Sequence, residues 1–292
     1  MPSTRDIRRR IKSVKNTSQI TKAMQMVAAS KMRRAQQAAL AGRPYANLMN
    51  QVLAEVTAGA GDFNHPLINP GKGSKRAVIV VSSDKGLCGG LNSNLFREVT
   101  KIDTKETVYI SAGRKAAQFL ARSKSDLAAE FSYKDAPEFA EARAISKMAQ
   151  EMFIRGEVSG VDILFTNFVT TLEQHPELRT FLPVGEIKGI EAGIEGESSQ
   201  KELERSQVEF LFEPNAGDVL GNLLPHYLNF QMYQILLESK ASEHSARMVA
   251  MKNATDNAKQ IIKDLTLEYN KLRQAMITNE LLEITSAAMA LG

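Results

Sequence analysis

Residues 248–276 read MVAMKNATDNAKQIIKDLTLEYNKLRQAM, and their spacing decides the kind of fold to expect. Met248, Met251, Thr255, Ala258, Ile262, Leu265, Tyr269, Leu272 and Met276 follow one another at alternating intervals of three and four. A repeat averaging 3.5 residues is the seam of a left-handed coiled coil, because a slightly under-wound helix keeps one stripe against its partner. The residues between them are largely polar, among them Lys252, Asn253, Asp256, Asn257, Lys259, Gln260, Lys263 and Asp264. A stripe this narrow needs a second helix.

Chain breakers mark how far the helices extend. After Pro225 neither glycine nor proline occurs until Gly292, and after Pro2 neither occurs until Gly42. At 1.5 Å per residue the C-terminal stretch predicts a helix of roughly 100 Å. The N-terminal stretch carries a weaker seam of smaller residues: Ile7, Ile11, Val14, Thr21, Met24, Ala28, Ala35 and Ala38. The economical arrangement is an antiparallel coiled coil of the two terminal helices, residues 1–58 and 215–292, with the middle of the chain inserted between them. The alternative, each helix lying on a globular core, fits poorly with breaker-free stretches this long.

The middle, residues 75–214, has a different grain. Ala77–Ser83, Thr107–Ala112, Val161–Thr170 and Val208–Phe212 are β-branched or aromatic runs. Helical patterns at Arg114–Ala121 and Glu138–Arg155 lie between them. Strands alternating with helices predict an open, Rossmann-like α/β domain. Gly185–Ser206, rich in glycine and glutamate, reads as a loop or linker.

Charge is unevenly spread. Residues 1–40 hold ten lysines and arginines against Asp6, a charge of +9, so with +4 overall residues 41–292 carry −5. The single cysteine, Cys88, excludes an internal disulfide and fits a reducing compartment. No apolar run approaches the roughly 18–20 residues of a membrane span. The Arg-rich N-terminus lacks the apolar core of a signal peptide and continues into helix, so it reads as mature protein. The expectation is a soluble chain, compatible with work beside a membrane.

The stretch Ser83–Asn92, SDKGLCGGLN, ends an apolar strand with glycines, as many phosphate sites do. Its spacing fails the dinucleotide fingerprint, and Lys85 precedes Gly86 where a P-loop needs lysine after its last glycine. A tight strand-to-helix turn, with glycines supplying positive φ, accounts for it. His65, His175, His226 and His244 are scattered without metal-ligand spacing, and Cys88 has no histidine nearby in sequence to activate it. Neither a catalytic residue, a cofactor, a metal nor a small-molecule substrate is expected. The basic N-terminal helix suits nucleic acid phosphates or an acidic protein surface. Its apolar seam, with partner heptads two hundred residues away, departs from a basic-zipper pattern.

Specific runs carry a resemblance. Ile11-Lys12-Ser13-Val14-Lys15-Asn16-Thr17, Ile20-Thr21-Lys22-Ala23-Met24 and Met26–Met32 resemble the first helix of the gamma-subunit family of F-type ATP synthases. So do SDKGLCGGLN, Ser242-Glu243-His244, Ala246-Arg247-Met248, Ala254–Asn257, Tyr269-Asn270-Lys271 and Arg273-Gln274-Ala275 with Ile277–Ile284. The similarity is collinear over the whole chain and thinnest between residues 93 and 205. It implies a central rotor stalk, without a catalytic site of its own, coupling rotation of a proton-driven c-ring to ATP synthesis or hydrolysis. The implied partners are three alpha and three beta subunits, epsilon, the c-ring, and delta in the same complex, with no nucleic acid. The implied place is the cytoplasmic face of a bacterial membrane, as a peripheral protein.

The same resemblance implies residue roles. Lys85, Cys88, Arg247, Arg273, Gln274 and Thr278 would touch beta, with Glu280 in support. Met24, Ile284 and Met289 would form the rotor bearing, and Phe210, Phe212 and Glu213 the foot near epsilon and the c-ring. The apolar end Ile284–Leu291 suits burial in such a bearing. Ser286-Ala287-Ala288 stands where the family commonly has Ser-Gly-Ala. The cysteine-bearing insert of chloroplast members is absent, so redox regulation is not expected and a bacterial source is.

Overall fold

The computed structural model describes residues 3–59, 65–69, 71–184 and 216–291. The chain divides into two compact units, Met1–Val27 with Met248–Gly292, and Ala28–Arg247. Two long helices contribute to both: α1 (Thr4–Ala41) and, at the other end of the chain, a helix of 76 residues, Ala216–Leu291.

In the first unit these helices pair along the predicted seam. Ile7, Thr21, Met251, Thr255 and Ala258 are buried. Ile11, Val14, Met24, Ile262, Leu265, Tyr269 and Leu272 are partly buried. Two contacts fix the direction. Thr21 Oγ1 and Thr255 Oγ1 are 2.7 Å apart, while Arg8 Nη2 donates to Tyr269 Oη at 2.5 Å and its guanidinium lies 5.4 Å from the ring centre. Partner numbers fall along one helix as they rise along the other, so the pair is antiparallel. The same register explains where the seam stops. With Arg8 opposite Tyr269 and α1 starting at Thr4, the long helix outruns its partner soon after Leu272. Met276, read as a seam residue, is 49% exposed, and Leu281, Leu282, Ile284 and Met289 are exposed as well.

The second unit is built on a five-stranded sheet. After α1, Gly42 separates α2 (Arg43–Gly59), so the expected single N-terminal helix is two. There follow β1 (Lys75–Val81), α3 (Leu91–Val99), β2 (Thr107–Ala112), α4 (Arg114–Arg122), β3 (Leu127–Phe131), α5 (Phe139–Ile154), β4 (Val158–Phe168) and β5 (Gln174–Leu182); the long helix is α6. The order across the sheet is β3-β2-β1-β4-β5, parallel except for β5, which runs antiparallel to β4. Central strands covered on both faces read as continuous apolar runs, as KRAVIVV and TVYISA do. One face packs Val78, Val80, Tyr109 and Leu164 against Leu95 and Val99 of α3 and Leu120 of α4. The other packs Ile79, Ile110, Ile163 and Phe165 among Leu53 of α2, Ile145 and Phe153 of α5, and Leu224, Leu228 and Ile235 of α6.

Strands β3 and β5 went unpredicted for physical reasons. The sequence LAAEF has no β-branched residue, and QHPELRTFL contains Pro176. Both are edge strands, where propensity is weakly enforced and a proline leaves no central ladder bond missing. The expected strand Val208–Phe212 lies outside the described residues.

The seam's buried threonines make a testable pair. Thr255→Val alone removes the cross-seam bond and leaves Thr21 Oγ1 only its 3.1 Å bond to Ser18 O, and should lower stability by about 1 kcal/mol. The double variant Thr21→Val/Thr255→Val keeps the shape and removes both polar groups, so it should recover to within about 0.5 kcal/mol of wild type. Urea unfolding followed by helical circular dichroism measures both.

Candidate functional site

The backbone leaves β1 through Ser82 and Ser83 into the glycine loop, then enters α3 at Leu91. In the sheet order, β1 stands between β2, to which its crossover leads, and β4. In open parallel sheets, the crevice at the carboxyl ends of strands at such a reversal is where ligands bind. Here the groups that would hold one engage the chain's own atoms.

The first-turn amides of α4 show this directly. Arg114 N donates to Asp84 Oδ1 at 2.9 Å, Lys115 N to Ser83 O at 3.2 Å and Ala116 N to Ser82 Oγ at 2.8 Å. A helix N-terminus favours an anion, and the Asp84 carboxylate supplies it from within. Gly113, which opens the turn, has φ of 109°, and a Cβ there would lie 2.2 Å from Ser82 O. Helix α6 bonds β4 and the turn that follows it. Ser242 Oγ donates to Thr166 O at 3.0 Å and Ser245 Oγ to Thr171 O at 2.7 Å.

The loop itself is tied at nearly every position. Ser83 Oγ donates to Lys85 O at 2.9 Å, and Asn92 Nδ2 donates to Ser83 Oγ at 2.7 Å and Cys88 Sγ at 3.4 Å. Of the three glycines expected to supply positive φ, only Gly89 does so, at 61°; Leu87 takes the other left-handed position, at 63°. Gly86 has open space around its missing Cβ.

Behind the loop lies a buried ionic cluster on α6. Lys240 Nζ donates to Glu243 Oε2 at 3.0 Å, with side chains 1% and 5% exposed, and sits 4.5 Å from the centre of the Tyr133 ring. Tyr133 Oη donates to Ser82 O at 3.2 Å, and burial, helped by the Glu243 charge, raises its pKa well above the usual phenol value. Lys31 bonds Asp135, and that hydrogen bond holds the Asp135 carboxyl below its ordinary pKa. Arg247 joins cluster to loop. Its Nη2 donates to Glu243 Oε1 at 2.8 Å, to Lys85 O at 3.1 Å and to Gly86 O at 3.3 Å, and its Nε to Gly86 O at 3.3 Å. Its Nη1 donates to His244 Nδ1 at 3.3 Å, which places the histidine proton on Nε2, a buried atom with no partner among the described residues. Burial lowers the His244 pKa to about 4; Glu243 opposes this, and Arg247 and Lys240 add to it.

The expected contact residues therefore separate into distinct groups. Lys85 is exposed. Cys88 is 2% exposed, and its sulfur accepts a hydrogen bond from Asn92 Nδ2, which anchors the loop. Arg247 is 12% exposed and committed to internal bonds. Arg273, Gln274, Thr278 and Glu280 are all exposed near where α6 outruns α1, with Thr278 Oγ1 donating to Gln274 O of its own helix at 3.0 Å. Met24 is partly buried, while Ile284 and Met289 are 66% and 85% exposed, so within this chain the apolar end is uncovered. Phe210, Phe212 and Glu213 lie outside the described residues. Sequence reading missed Lys240, Tyr133 and Asp135 as members of a site. The available signal was charge at 240, 243 and 247, one face of a helix, amid ILLESKASEHSARM. Among the described residues no cluster of His, Cys, Asp and Glu could hold a metal ion.

Comparison with known proteins gives a consistent set. A family model described as ATP synthase matches residues 3–291. The chain is 48% identical over 295 residues to the ATP synthase gamma chain of Opitutus terrae, covering 99% of each. It is 44% identical over 297 residues to that of Methylacidiphilum infernorum, covering 100% of each. A chain in the central stalk and c-ring structure of the Tetrahymena thermophila mitochondrial ATP synthase matches with a TM-score of 0.58 at 25% identity, covering 80% of this chain and 99% of that one. A chain in the rotor of the Euglena gracilis mitochondrial ATP synthase has the same fold, with a TM-score of 0.67 at 18% identity, covering 94% of this chain and 98% of that one.

His244 gives the site a pH signature. Its folded pKa lies below the unfolded value of about 6.5, so stability is fully present above 6.5 and falls toward pH 4, where the folded protein also takes up the proton. The loss is on the order of 3 kcal/mol. In urea unfolding at stepped pH, His244→Gln should lack this component, so wild type should lose stability relative to the variant as pH falls across that window.

Proposed function

The chain belongs to the ATP synthase gamma-chain family, and on that premise we propose how its geometry serves as the central shaft coupling c-ring rotation to ATP synthesis and hydrolysis. The observation that carries the reading is the antiparallel pairing of α1 and α6, with an exposed apolar end beyond it. A shaft must resist twisting and still slide within its sleeve. Helix α6 runs over 76 residues, with Pro225 near its start and no glycine or proline from His226 to Leu291. Its seam locks it to α1, while the outward faces carry solvated charge, whose pairs are worth under about 1 kcal/mol each and are easily exchanged during rotation.

Within this reading the chain has no catalytic site of its own. At the crevice that binds nucleotides in related sheets, Asp84 engages the first amide of α4 and Ser242 of α6 bonds β4, which supports leaving ATP chemistry to the beta subunits. Arg273, Gln274 and Thr278, supported by Glu280, act as polar catches on beta; Lys85 meets an acidic beta loop. Ile284 and Met289, and the exposed part of Met24, run in an apolar bearing formed by the alpha and beta subunits, three of each. Phe210, Phe212 and Glu213 serve the foot against epsilon and the c-ring, with delta elsewhere in the complex. No helix among the described residues is long and apolar enough to cross a membrane, in keeping with a peripheral place on the cytoplasmic face of a bacterial membrane. The +9 segment of α1 supports contact with acidic protein surfaces in preference to nucleic acid, because its apolar seam is occupied by α6.

Reconstitution with alpha and beta subunits tests the shaft. Gln274→Ala should slow ATP hydrolysis by about three- to tenfold while the complex assembles normally. A variant that fails to assemble would make Gln274 a structural residue. Titration calorimetry of the free chain with Mg-ATP should show no binding; a micromolar dissociation constant that depends on Lys85 would overturn the non-catalytic reading.

A further inference from the structure

We propose that Arg247 is a positioning residue: it acts on turnover through the loop after β1, holding Lys85 and Leu87 as one rigid contact point. The proposal rests on the shaft reading and revises the direct contact expected of Arg247 itself. Leu87 is an apolar side chain 62% exposed, on a backbone with φ of 63° that branched L-residues avoid. Everything around it is anchored. Ser83 and Cys88 are buried, Asp84 caps α4, and Asn92 ties the two ends of the loop together. Arg247 grips the carbonyls of the two residues immediately before Leu87.

The grip depends on the planar guanidinium. Nε and Nη2 face the loop, Nη2 also meets Glu243 and Nη1 meets His244, so one rigid fork ties the loop to two side chains of α6. A lysine keeps the charge beside Glu243 but cannot reproduce the fork. The result is a cation and an apolar side chain displayed at a fixed place, which suits a partner surface carrying a carboxylate beside an apolar patch. Because the clamp springs from α6, that contact point is fastened to the long helix and does not move as a free loop.

The test is a double-mutant cycle in the reconstituted complex, reading ATP hydrolysis per assembled particle. Arg247→Lys should lower turnover by about threefold or more, and should have no further effect once Lys85→Ala and Leu87→Ala are present. Additive effects would overturn the proposal, since Arg247 would then act independently of the loop. Leu87→Gly leaves the buried cluster untouched and relieves the left-handed backbone; it should assemble normally yet lose turnover, and wild-type turnover would equally overturn the proposal. Hydrogen exchange on the free chain judges the clamp apart from the shaft. In Arg247→Lys the amides of residues 85–90 should exchange about tenfold faster while those of β1 stay protected. Unchanged exchange refutes the clamp, whereas a wild-type chain that never yields an ATP-hydrolysing complex refutes the shaft reading instead.

Discussion

Charge taken out of water must meet its opposite, and on α6 this requirement decides what the carboxyl edge of the sheet becomes. Lys240, Glu243 and Arg247 are each nearly removed from solvent. Breaking one partner of a buried pair typically costs about 3–5 kcal/mol, because the other charge is left stranded. Glu243 sits between both cations, Asp135 lies 3.9 Å from Lys240, and Arg247 finds further acceptors in the loop after β1. The loop's shape, the tautomer of His244 and the placement of Tyr133 follow from that arrangement.

A doubly wound sheet with its reversal next to a glycine loop is ordinarily an invitation to a nucleotide. This chain keeps the scaffold and closes the opening with a carboxylate from the loop and serines from the helix. The closure joins the sheet to α6 by hydrogen bonds as well as by apolar packing. In a machine that transmits torque, directional bonds at that junction resist slippage better than a greasy contact, which tolerates sliding.

The helical pair was legible in the sequence because period is a property of one helix alone: Met251, Thr255 and Ala258 announce their face without knowledge of any partner. Its end was not, since Met276 continues the period perfectly and only the starting point of α1 at Thr4 shows that nothing faces it. The central strands were readable from β-branched runs; β3 and β5 were not, because pairing at an edge rather than composition makes them strands. At the loop, glycine spacing argued against a nucleotide fingerprint but could not place the left-handed residues, and one such position fell to Leu87, where neighbouring bonds override preference. Arg247 and Cys88 were recognisable as notable residues, but whether a side chain turns outward to a partner or inward to its own chain depends on contacts distant in sequence.

The register of the antiparallel pair also turns chain length into angle. Thr255 is pinned opposite Thr21 and Tyr269 opposite Arg8. Each residue of an α-helix advances the azimuth by about 100°. A single insertion between Thr255 and Arg273 would therefore swing Arg273, Gln274 and Thr278 by more than a quarter turn and lift them by about 1.5 Å. Substitutions on the solvated faces leave that phase intact. Along this stretch the chain can drift in composition far more freely than in length, as a camshaft can be re-metalled but not re-cut.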